Sequence, residues 1–544
     1  MSNALTDAFG VSLFSAMCVL VAPGIGVVPN AQAQHSPQSD AGPATATGAP
    51  SGSLTLETVV RATLRSGTAV RTEGEQVNAA EARVRKASGA FDFEVNASAS
   101  SRLENTLYEQ AQRQQLGLSK ANQGRTTYEL SVSKQFRSGL VVQPRVGASR
   151  TDAFTHSSAP ILRKEVSLSA RYPLLRGRSR SMAAAEEEAA RRSLRASRLS
   201  LQHTEAESLM EAALAYWDYR AAHRRVRVAR RSEERAQTLL NDNKALVEKG
   251  ERPESVLSQL RANVADNVSR RTEAEQALRE ARRRVGIAMG ISSKEIHRLP
   301  APEESFPAID DTLDLSPQAR VLENVLEERA DVQSASVREE AAQSLLEARR
   351  SGVEPRLDLR ADVGYSGLSD GGGLSAVQHT PTFGQSDASG PTVSIGLNYT
   401  FPIGNDAARG RLAQQEATYR QRKITSEDLK RRAKSGVTVA LDKVKSSRAS
   451  VEQAREAVKF YRAAVKDERQ KLQHGMSTLL DVTTMEDRLT SARSNLISML
   501  TRYAKALVQL RFEMGRLLLP VPRKERVKHT REQAERLRTL PTTE

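Results

Sequence analysis

The sequence has little cysteine, few aromatic residues and no motif of a catalytic or metal site. Cys18 is the only cysteine among 544 residues, and aromatic residues make up 4% of the chain. A disulfide within the chain is therefore excluded, and several aromatic-rich compact cores are not expected. No stretch resembles a P-loop, a nucleophile elbow or a catalytic dyad, and the histidines do not have metal-ligand spacing. We therefore predict no enzymatic activity, no metal and no cofactor.

Basic residues are in excess, with a formal net charge of +16. A nucleic-acid surface would interleave basic with aromatic residues, and this sequence does not. Much of the arginine instead recurs along helical stretches, which is typical of solvated helix faces. Examples are Arg191, Arg192, Arg195 and Arg198. We therefore predict no nucleic-acid partner.

Residues 1–33 have the pattern of an export signal. The run from Val11 to Val28 is almost entirely apolar, and Ala31-Gln32-Ala33 after it fits the small-x-small cleavage rule. We predict that the signal is residues 1–33, so that Cys18 leaves with it. Residues 34–53, rich in Pro, Ala, Gly, Ser and Thr, are predicted to form a disordered leader.

Two features of this segment bear on that interpretation. The first ten residues contain no Lys or Arg, which an upstream or misassigned start codon would explain. Pro23 and Gly24 interrupt the apolar run before it is long enough to span a bilayer, which favours a signal over a membrane anchor.

A helical hairpin from Val437 to Leu510, folded at residues 474–478, is the clearest pattern in the chain. Its first arm has apolar residues at strict intervals of seven: Val437, Val444, Val451, Val458, Val465 and Leu472. Its second arm alternates steps of three and four: Val482, Met485, Leu489, Ala492, Leu496, Met499, Tyr503, Ala506 and Leu510. These spacings predict a coiled-coil seam along each arm.

The same hairpin occurs 225 residues earlier, which indicates a tandem duplication. The shift maps Gly475 onto Gly250 at the turns and Gly515 onto Gly290 beyond them. It also maps the seam residues Val451, Leu472, Val482, Met485, Leu489, Tyr503 and Leu510 onto Val226, Val247, Leu257, Leu260, Val264, Leu278 and Val285. We predict a first repeat over 54–298, a linker over 299–314, a second repeat over 315–519 and a disordered basic tail over 520–544.

Each repeat also contains alternating segments that predict β-strands. They are 91–97, 128–136, 140–146 and 166–172 in the first repeat, and 357–365 and 393–399 in the second. Such strands could form a half-buried soluble sheet or the wall of a membrane barrel. An exported chain without a spanning helix crosses a bilayer only as a closed barrel, and four to six strands are too few for a wide one. A barrel would therefore require several copies of the chain.

Long helical stretches follow the strands, over about 181–247 and 407–473. At 1.5 Å per residue each is on the order of 100 Å long. A lone rod of that length would not be stable, because its apolar stripe covers only a narrow face. We therefore expect the two hairpins to pack side by side. Trp217, in the first long helix, is predicted to be packing filler rather than a ligand platform.

The order strand, strand, long helix, glycine turn, long helix, present twice, resembles the TolC family of outer-membrane efflux proteins. The matching residues are Tyr172-Pro-Leu-Leu-Arg-Gly177, Ala215-Tyr-Trp-Asp-Tyr-Arg-Ala-Ala222, Val247-Glu-Lys-Gly250, Phe401-Pro-Ile-Gly404 and Gly475-Met-Ser-Thr-Leu-Leu-Asp481. The resemblance covers about residues 54–519. It implies an α+β membrane protein, in which a homotrimer forms an outer-membrane β-barrel continued by a periplasmic α-helical coiled-coil tunnel.

The resemblance also implies functional residues at the hairpin turns. The tips would dock a periplasmic membrane-fusion adaptor through Val247, Gly250, Gly475, Ser477, Thr478 and Leu479, and the periplasmic aperture would be lined by Asp481 and Thr484. Thr484 stands where the family has a second acid. Gly250 and Gly475 also suit a helix terminus, and Asp481 also suits a helix start. The pair of extended segments within 128–150 is an addition to the usual two strands per repeat, placed either in the barrel or outside it.

Two functions are consistent with these patterns. The first is an outer-membrane channel of a tripartite efflux or type I secretion system, embedded in outer-membrane lipid and energised by an inner-membrane pump of the RND or ABC type. The alternative is a periplasmic or secreted coiled-coil structural protein that binds anionic surfaces through its basic helix faces.

Overall fold

The computed structural model describes residues 53–117, 119–153, 160–309, 319–370, 388–518, 523–526 and 528–538. The helices are α1 (Leu56–Ser66), α2 (Thr68–Ser88), α3 (Gln110–Leu116), α4 (Arg180–Ala183), α5 (Ala185–Glu248), α6 (Ser255–Met289), α7 (Ser293–Ile296), α8 (Ala319–Glu328), α9 (Ala330–Ser351), α10 (Asp406–Gln473), α11 (Leu479–Glu513), α12 (Arg523–Arg526) and α13 (Thr530–Arg536). The strands are β1 (Phe93–Leu107), β2 (Lys120–Gln135), β3 (Val141–Ala153), β4 (Ile161–Pro173), β5 (Arg356–Asp370) and β6 (Ala388–Thr400). The predicted signal, and the predicted leader up to residue 52, lie outside the described residues.

The chain divides into two units. The sheet unit consists of the described parts of Ser88–Ala185 and Glu347–Leu412. The helical unit consists of the described parts of Thr45–Ala87, Glu186–Leu346 and Ala413–Glu544. Each unit therefore takes residues from both repeats.

All six strands belong to one antiparallel sheet in the order β1-β2-β3-β4-β5-β6. The additional pair, β2 and β3, is fully hydrogen-bonded between β1 and β4, so it lies within the sheet rather than outside it. Strand β4 of the first repeat pairs with β5 of the second along its whole length. The described part of the chain therefore has six strands in one sheet, a number that periodicity alone had left between four and six.

The two faces of the sheet differ in polarity. One row across all six strands is mostly apolar: Ala97, Leu130, Val146, Val166, Tyr365 and Pro391. The neighbouring row on the opposite face is small or polar: Asn96, Ser131, Arg145, Ser167, Gly364 and Thr392. Many of the large apolar side chains are exposed, including Val393 and Ile395. A continuous exposed apolar sheet face marks a surface that is covered by lipid or by protein.

The helical unit is built on the two predicted seams. The seam valines of the first arm of the second hairpin are all buried: Val437, Val444, Val451, Val458 and Val465. Leu472 is half-buried. In the second arm, Val482, Leu489, Tyr503, Ala506 and Leu510 are buried, while Met485, Ala492, Leu496 and Met499 pack partly buried against the core. Among the described helices, none combines the length and apolarity needed to cross a membrane.

Trp217 and its neighbours on α5 hold the segment that connects the repeats. The Trp217 ring stacks on Phe306 with centroids 5.6 Å apart, and both side chains are buried. The Tyr219 hydroxyl donates to the Pro300 carbonyl at 3.0 Å, and Arg220 donates to the Pro302 carbonyl at 2.6 Å. The prediction that Trp217 is packing filler is confirmed. The described part of the predicted linker is a packed element of the helical unit.

The predicted disordered tail contains two short helices, α12 and α13, which corrects that expectation for the described residues. Leu537 and Gln533 are fully buried, Thr530 hydrogen-bonds to Glu57 of α1 at 3.2 Å, and Arg526 pairs with Glu205 of α5 at 3.1 Å. The local composition is polar, so the order comes from tertiary contacts that a local pattern does not reveal.

Candidate functional site: the tips of the helical hairpins

The first tip ends α5 with a left-handed glycine. Gly250 has φ +77°, its N–H donates to the Val247 carbonyl at 2.9 Å, and the Glu251 N–H donates to the Leu246 carbonyl at 2.9 Å. A β-carbon on Gly250 would have no atom within 4 Å, so glycine is required here for its backbone conformation and not for space. Val247 is half-buried just before the turn.

The second tip repeats this hydrogen-bond pattern. Gly475 has φ +72° and donates to the Leu472 carbonyl at 3.2 Å, and the Met476 N–H donates to the Lys471 carbonyl at 2.8 Å. Each bond is the counterpart of one at the first tip under the shift of 225, which is 475 minus 250. The duplication inferred from sequence is therefore reproduced in the turn geometry.

The two tips differ in how the next helix begins. Thr478 caps α11, and its backbone N–H and hydroxyl donate to the Asp481 carboxylate at 3.1 and 2.6 Å. The hydrogen bond from the hydroxyl and, to a smaller extent, that from the backbone N–H lower the pKa of Asp481 below its ordinary value. At the first tip Val256 occupies the equivalent position, and Glu254 at the start of α6 makes no side-chain capping bond.

The predicted site residues of the second tip thus lie together, but with different exposure. Gly475, Thr478 and Asp481 are exposed, whereas Ser477, Leu479 and Thr484 are half-buried. The Ser477 hydroxyl donates to the Glu468 carboxylate of α10, and the Thr484 hydroxyl donates to the Leu480 carbonyl within its own helix at 2.7 Å. The capping role that suits Asp481 is therefore present, and its role at an aperture remains a prediction.

Two exposed apolar side chains at the second tip were missed by the sequence analysis. Met476 is 70% exposed and Leu480 is 57% exposed. Both are apolar residues at positions outside the seven-residue spacing of the seam. An apolar residue that does not fit the seam was therefore the signal that could have identified them. Exposed apolar side chains beside an open turn suit a protein contact.

Ion pairs that the sequence analysis did not predict join α11 to the other three long helices near this tip. Glu486 accepts from Arg469 of α10 at 3.0 Å and lies 3.5 Å from Arg235 of α5, and Asp487 pairs with Arg270 of α6 at 3.1 Å. Burial is the main cause that lowers the pKa of Arg493, and the positive charges of Arg235 and other nearby arginines lower it further. Glu486 thus offsets part of a local excess of positive charge.

The tips show no arrangement for chemistry. Over the residues that the structure describes, no three His, Cys, Asp or Glu side chains are grouped so that they could hold a metal ion. The functional groups at the tips are exposed backbone, hydroxyls and apolar side chains, which suit recognition of another surface.

Comparison with solved structures identifies the fold. The chain has the fold of solved outer-membrane channels at low sequence identity. With the Campylobacter jejuni CmeC outer membrane channel it shares 15% identity at a TM-score of 0.63, over 90% of each chain. With VceC from Vibrio cholerae it shares 15% identity at a TM-score of 0.60, over 85% of this chain and 96% of that one. With the open state of Neisseria gonorrhoeae MtrE it shares 16% identity at a TM-score of 0.58, over 85% and 88%.

The family is indicated by the second repeat. Residues 321–516 match the model of the family described as "Outer membrane efflux protein". No curated protein matches the sequence. The second repeat is therefore similar to the outer membrane efflux proteins in sequence, and the chain has the fold of such channels over most of its length. The resemblance to the TolC family, the α+β fold class and the location in the outer membrane are thereby confirmed.

Proposed function

We propose that three copies of the chain form one closed barrel that serves as the outer-membrane channel of a tripartite export system. The observation that carries this proposal is the sheet itself. Among the described strands, β1 pairs only with β2 and β6 only with β5, and six consecutive antiparallel strands leave these two edges running in opposite directions. Strand β1 of one copy can therefore pair in antiparallel fashion with strand β6 of a second copy.

Closure also uses the two faces of the sheet. The apolar face with Val146, Val166 and Val363 faces lipid in this arrangement, and the polar face lines the lumen. Three six-stranded sheets supply eighteen strands, enough for an aqueous channel. The alternative, a soluble coiled-coil protein, would leave this apolar face exposed to water.

The tips take the adaptor in this proposal. Gly250 and Gly475 leave open backbone, and Met476 and Leu480 supply the apolar contact. Asp481, which directly follows Leu480, and Thr484, one turn further along α11, line the entrance. The sequence has no nucleotide-binding motif, so the energy for export comes from an inner-membrane pump.

Fractionation and complementation of a deletion strain test the proposal. The full chain is expected in detergent-extracted outer membrane as a species that migrates as a trimer when unheated and as a monomer when heated, and it should restore export. A species found only in the soluble fraction, or a deletion without effect on export, would contradict the channel function.

A further inference from the structure

A basic pocket lies where the additional β2–β3 hairpin meets the end of β4. It is an open cleft of about 580 Å³, and its lining has cations but no carboxylate. The four cations are Lys134, Arg137, Arg178 and Arg180, and the rest of the lining is Phe91, Gln135, Phe136, Ser138 and Tyr172. Such a set combines positive charge, neutral donors and aromatic walls.

The hairpin turn is held against β4 by a close backbone approach. Gly139 has φ +90°, and a β-carbon there would lie 2.8 Å from the Gly177 carbonyl oxygen and 2.9 Å from the Pro173 side chain. A larger residue would push the turn away from this segment. Glycine at 139 therefore brings the cations of the hairpin next to Arg178 and Arg180.

Aromatic rings orient the two cations of the hairpin. The Lys134 ammonium lies 4.3 Å from the centroid of the Phe93 ring and donates to the Phe91 carbonyl. The Arg137 guanidinium lies 4.8 Å from the centroid of the buried Phe91 ring. These contacts hold the stems of both side chains against the sheet and reduce the entropy lost when an anion binds.

The pocket lies at the border of the apolar face. Lys134 is opposite Phe93 in the register, so it continues the apolar row of β1 and β2. Aromatic side chains collect at this end of the sheet, where the chain passes to the helices: Phe93, Phe136, Tyr172, Tyr399 and Phe401. Aromatic residues flank the apolar band of membrane strands at the level of the lipid headgroups.

We propose that this pocket binds the phosphate of a phospholipid headgroup, with the acyl chains lying along the exposed rings of Phe93 and Phe136. Arg178 and Arg180 present planar donors that match phosphate oxygens, and Lys134 adds a point charge. The lipid, rather than free phosphate, is the occupant because the cations border an apolar surface. The inference rests on the proposed function in one respect, namely that the apolar face contacts lipid.

Native mass spectrometry of the delipidated full-length protein in detergent tests the site. The probes are phosphatidylglycerol, a diacylglycerol with the same acyl chains, and inorganic phosphate. The test variant is Arg178→Gln with Arg180→Gln. The matched control is Arg163→Gln with Arg171→Gln, which removes two exposed cations from β4 outside the pocket. A third variant, Gly139→Val, keeps every cation but displaces the turn.

We expect the parent and the control to retain one phosphatidylglycerol per chain. The test variant should bind it at least about tenfold more weakly, because the loss of even one of its two charge-assisted contacts has that effect. Gly139→Val should also weaken binding. Equal lipid retention by parent and test variant would overturn the site. Equal retention of diacylglycerol would show binding by acyl chains alone and would overturn the phosphate contact. If inorganic phosphate is retained with the same dependence on Arg178 and Arg180, the ligand is free phosphate, and the proposal that a phospholipid occupies the pocket is overturned.

The same spectra separate this inference from the proposed function. The mass of the protein reports whether it is a trimer, and it reports this for every variant. A trimer without selective lipid retention contradicts only the pocket. A monomer that still retains phosphatidylglycerol through Arg178 and Arg180 contradicts only the trimeric barrel.

Discussion

Gly515 lies directly against the backbone of Glu328, so that a β-carbon at Gly515 would come within 2.9 Å of the Glu328 carbonyl carbon. Gly290, its counterpart in the first repeat, packs in the same way on Ser66. Glu328 ends α8 and Ser66 ends α1, the first helix of each repeat. The glycine beyond each hairpin is thus where the returning helix meets the start of its own repeat.

This contact predicts that Gly515→Ala destabilises the protein more than Gly475→Ala. Both glycines have φ +72°, so each substitution costs about 1 to 2 kcal/mol for the left-handed backbone. Only Gly515 has neighbours that a β-carbon would strike, which adds about 1 to 3 kcal/mol. The thermal unfolding midpoint, followed by helical circular dichroism, should fall further for Gly515→Ala. Equal midpoints would contradict the packing role.

We predict that Gly475→Ile abolishes export while the trimer still assembles. A β-branched residue resists the left-handed conformation of the turn, and its side chain would cover the exposed backbone. The measurement is growth in compounds to which the deletion strain is sensitive, with the amount of trimer in the outer membrane determined alongside.

Gly117→Ile is the matched control for that experiment. Gly117 has φ +69°, and a β-carbon there would have no atom within 4 Å. This glycine follows the short helix α3 in the connection between β1 and β2, away from the tips of the two long helical hairpins. Export should survive this change. If both variants export normally at normal trimer levels, the tip at Gly475 has no docking role.

Glu486→Gln should destabilise the helical unit by about 2 kcal/mol, because it leaves Arg469 and Arg235 without their shared carboxylate. The remaining arginines repel one another, so the loss should be smaller at high ionic strength. Chemical unfolding at low and high salt measures both effects. The control is Glu452→Gln, whose more exposed carboxylate pairs with Arg448, with an expected change below about 0.5 kcal/mol. A salt-independent loss would argue against charge as the cause.

The helical hairpins could be predicted in detail because their signal is local and repeated. Val437, Val444 and Val451 recur at the interval that a coiled coil requires, and their burial follows directly. Gly250 and Gly475 were found in the same way, since a break in the seam together with a glycine specifies a helix end.

The position of the additional strands could not be predicted, because alternation specifies the faces of a strand but not its neighbours. The pairing of Val146 with both Leu130 and Val166 depends on long-range register. The order of the tail was missed for a related reason: Leu537 is buried in a core cluster with residues far away in sequence, such as Leu56. At the tip, Asp481 was identified, but its hydrogen bond to Thr478 was not, because the threonine was considered only as an adaptor-docking residue.

Asp481→Asn is predicted to separate the two roles of this carboxylate. The pKa of Asp481 lies below its ordinary value of 3.8, so the group is charged at neutral pH. A depressed pKa means that the capping bond contributes stability above about pH 3.8 and loses it as the pH falls through the lower folded value. Asparagine keeps an oxygen that can accept from Thr478, so the start of α11 should remain intact while the charge is removed.

If three copies of Asp481 surround the channel entrance, the parent should prefer cations, because like charges at a constriction focus the potential. The preference should be modest, since Thr484 supplies no second charge. Planar-bilayer recordings should then show a lower cation preference for Asp481→Asn. The variant Asp481→Ala should show the same lower preference and, in addition, a less stable α11, because the capping hydrogen bond is lost. The Thr478→Val variant removes the hydroxyl of the cap without changing the charge, so it should leave selectivity unaltered. Unchanged selectivity and conductance in Asp481→Asn would leave the capping bond to Thr478 as the whole function of this residue.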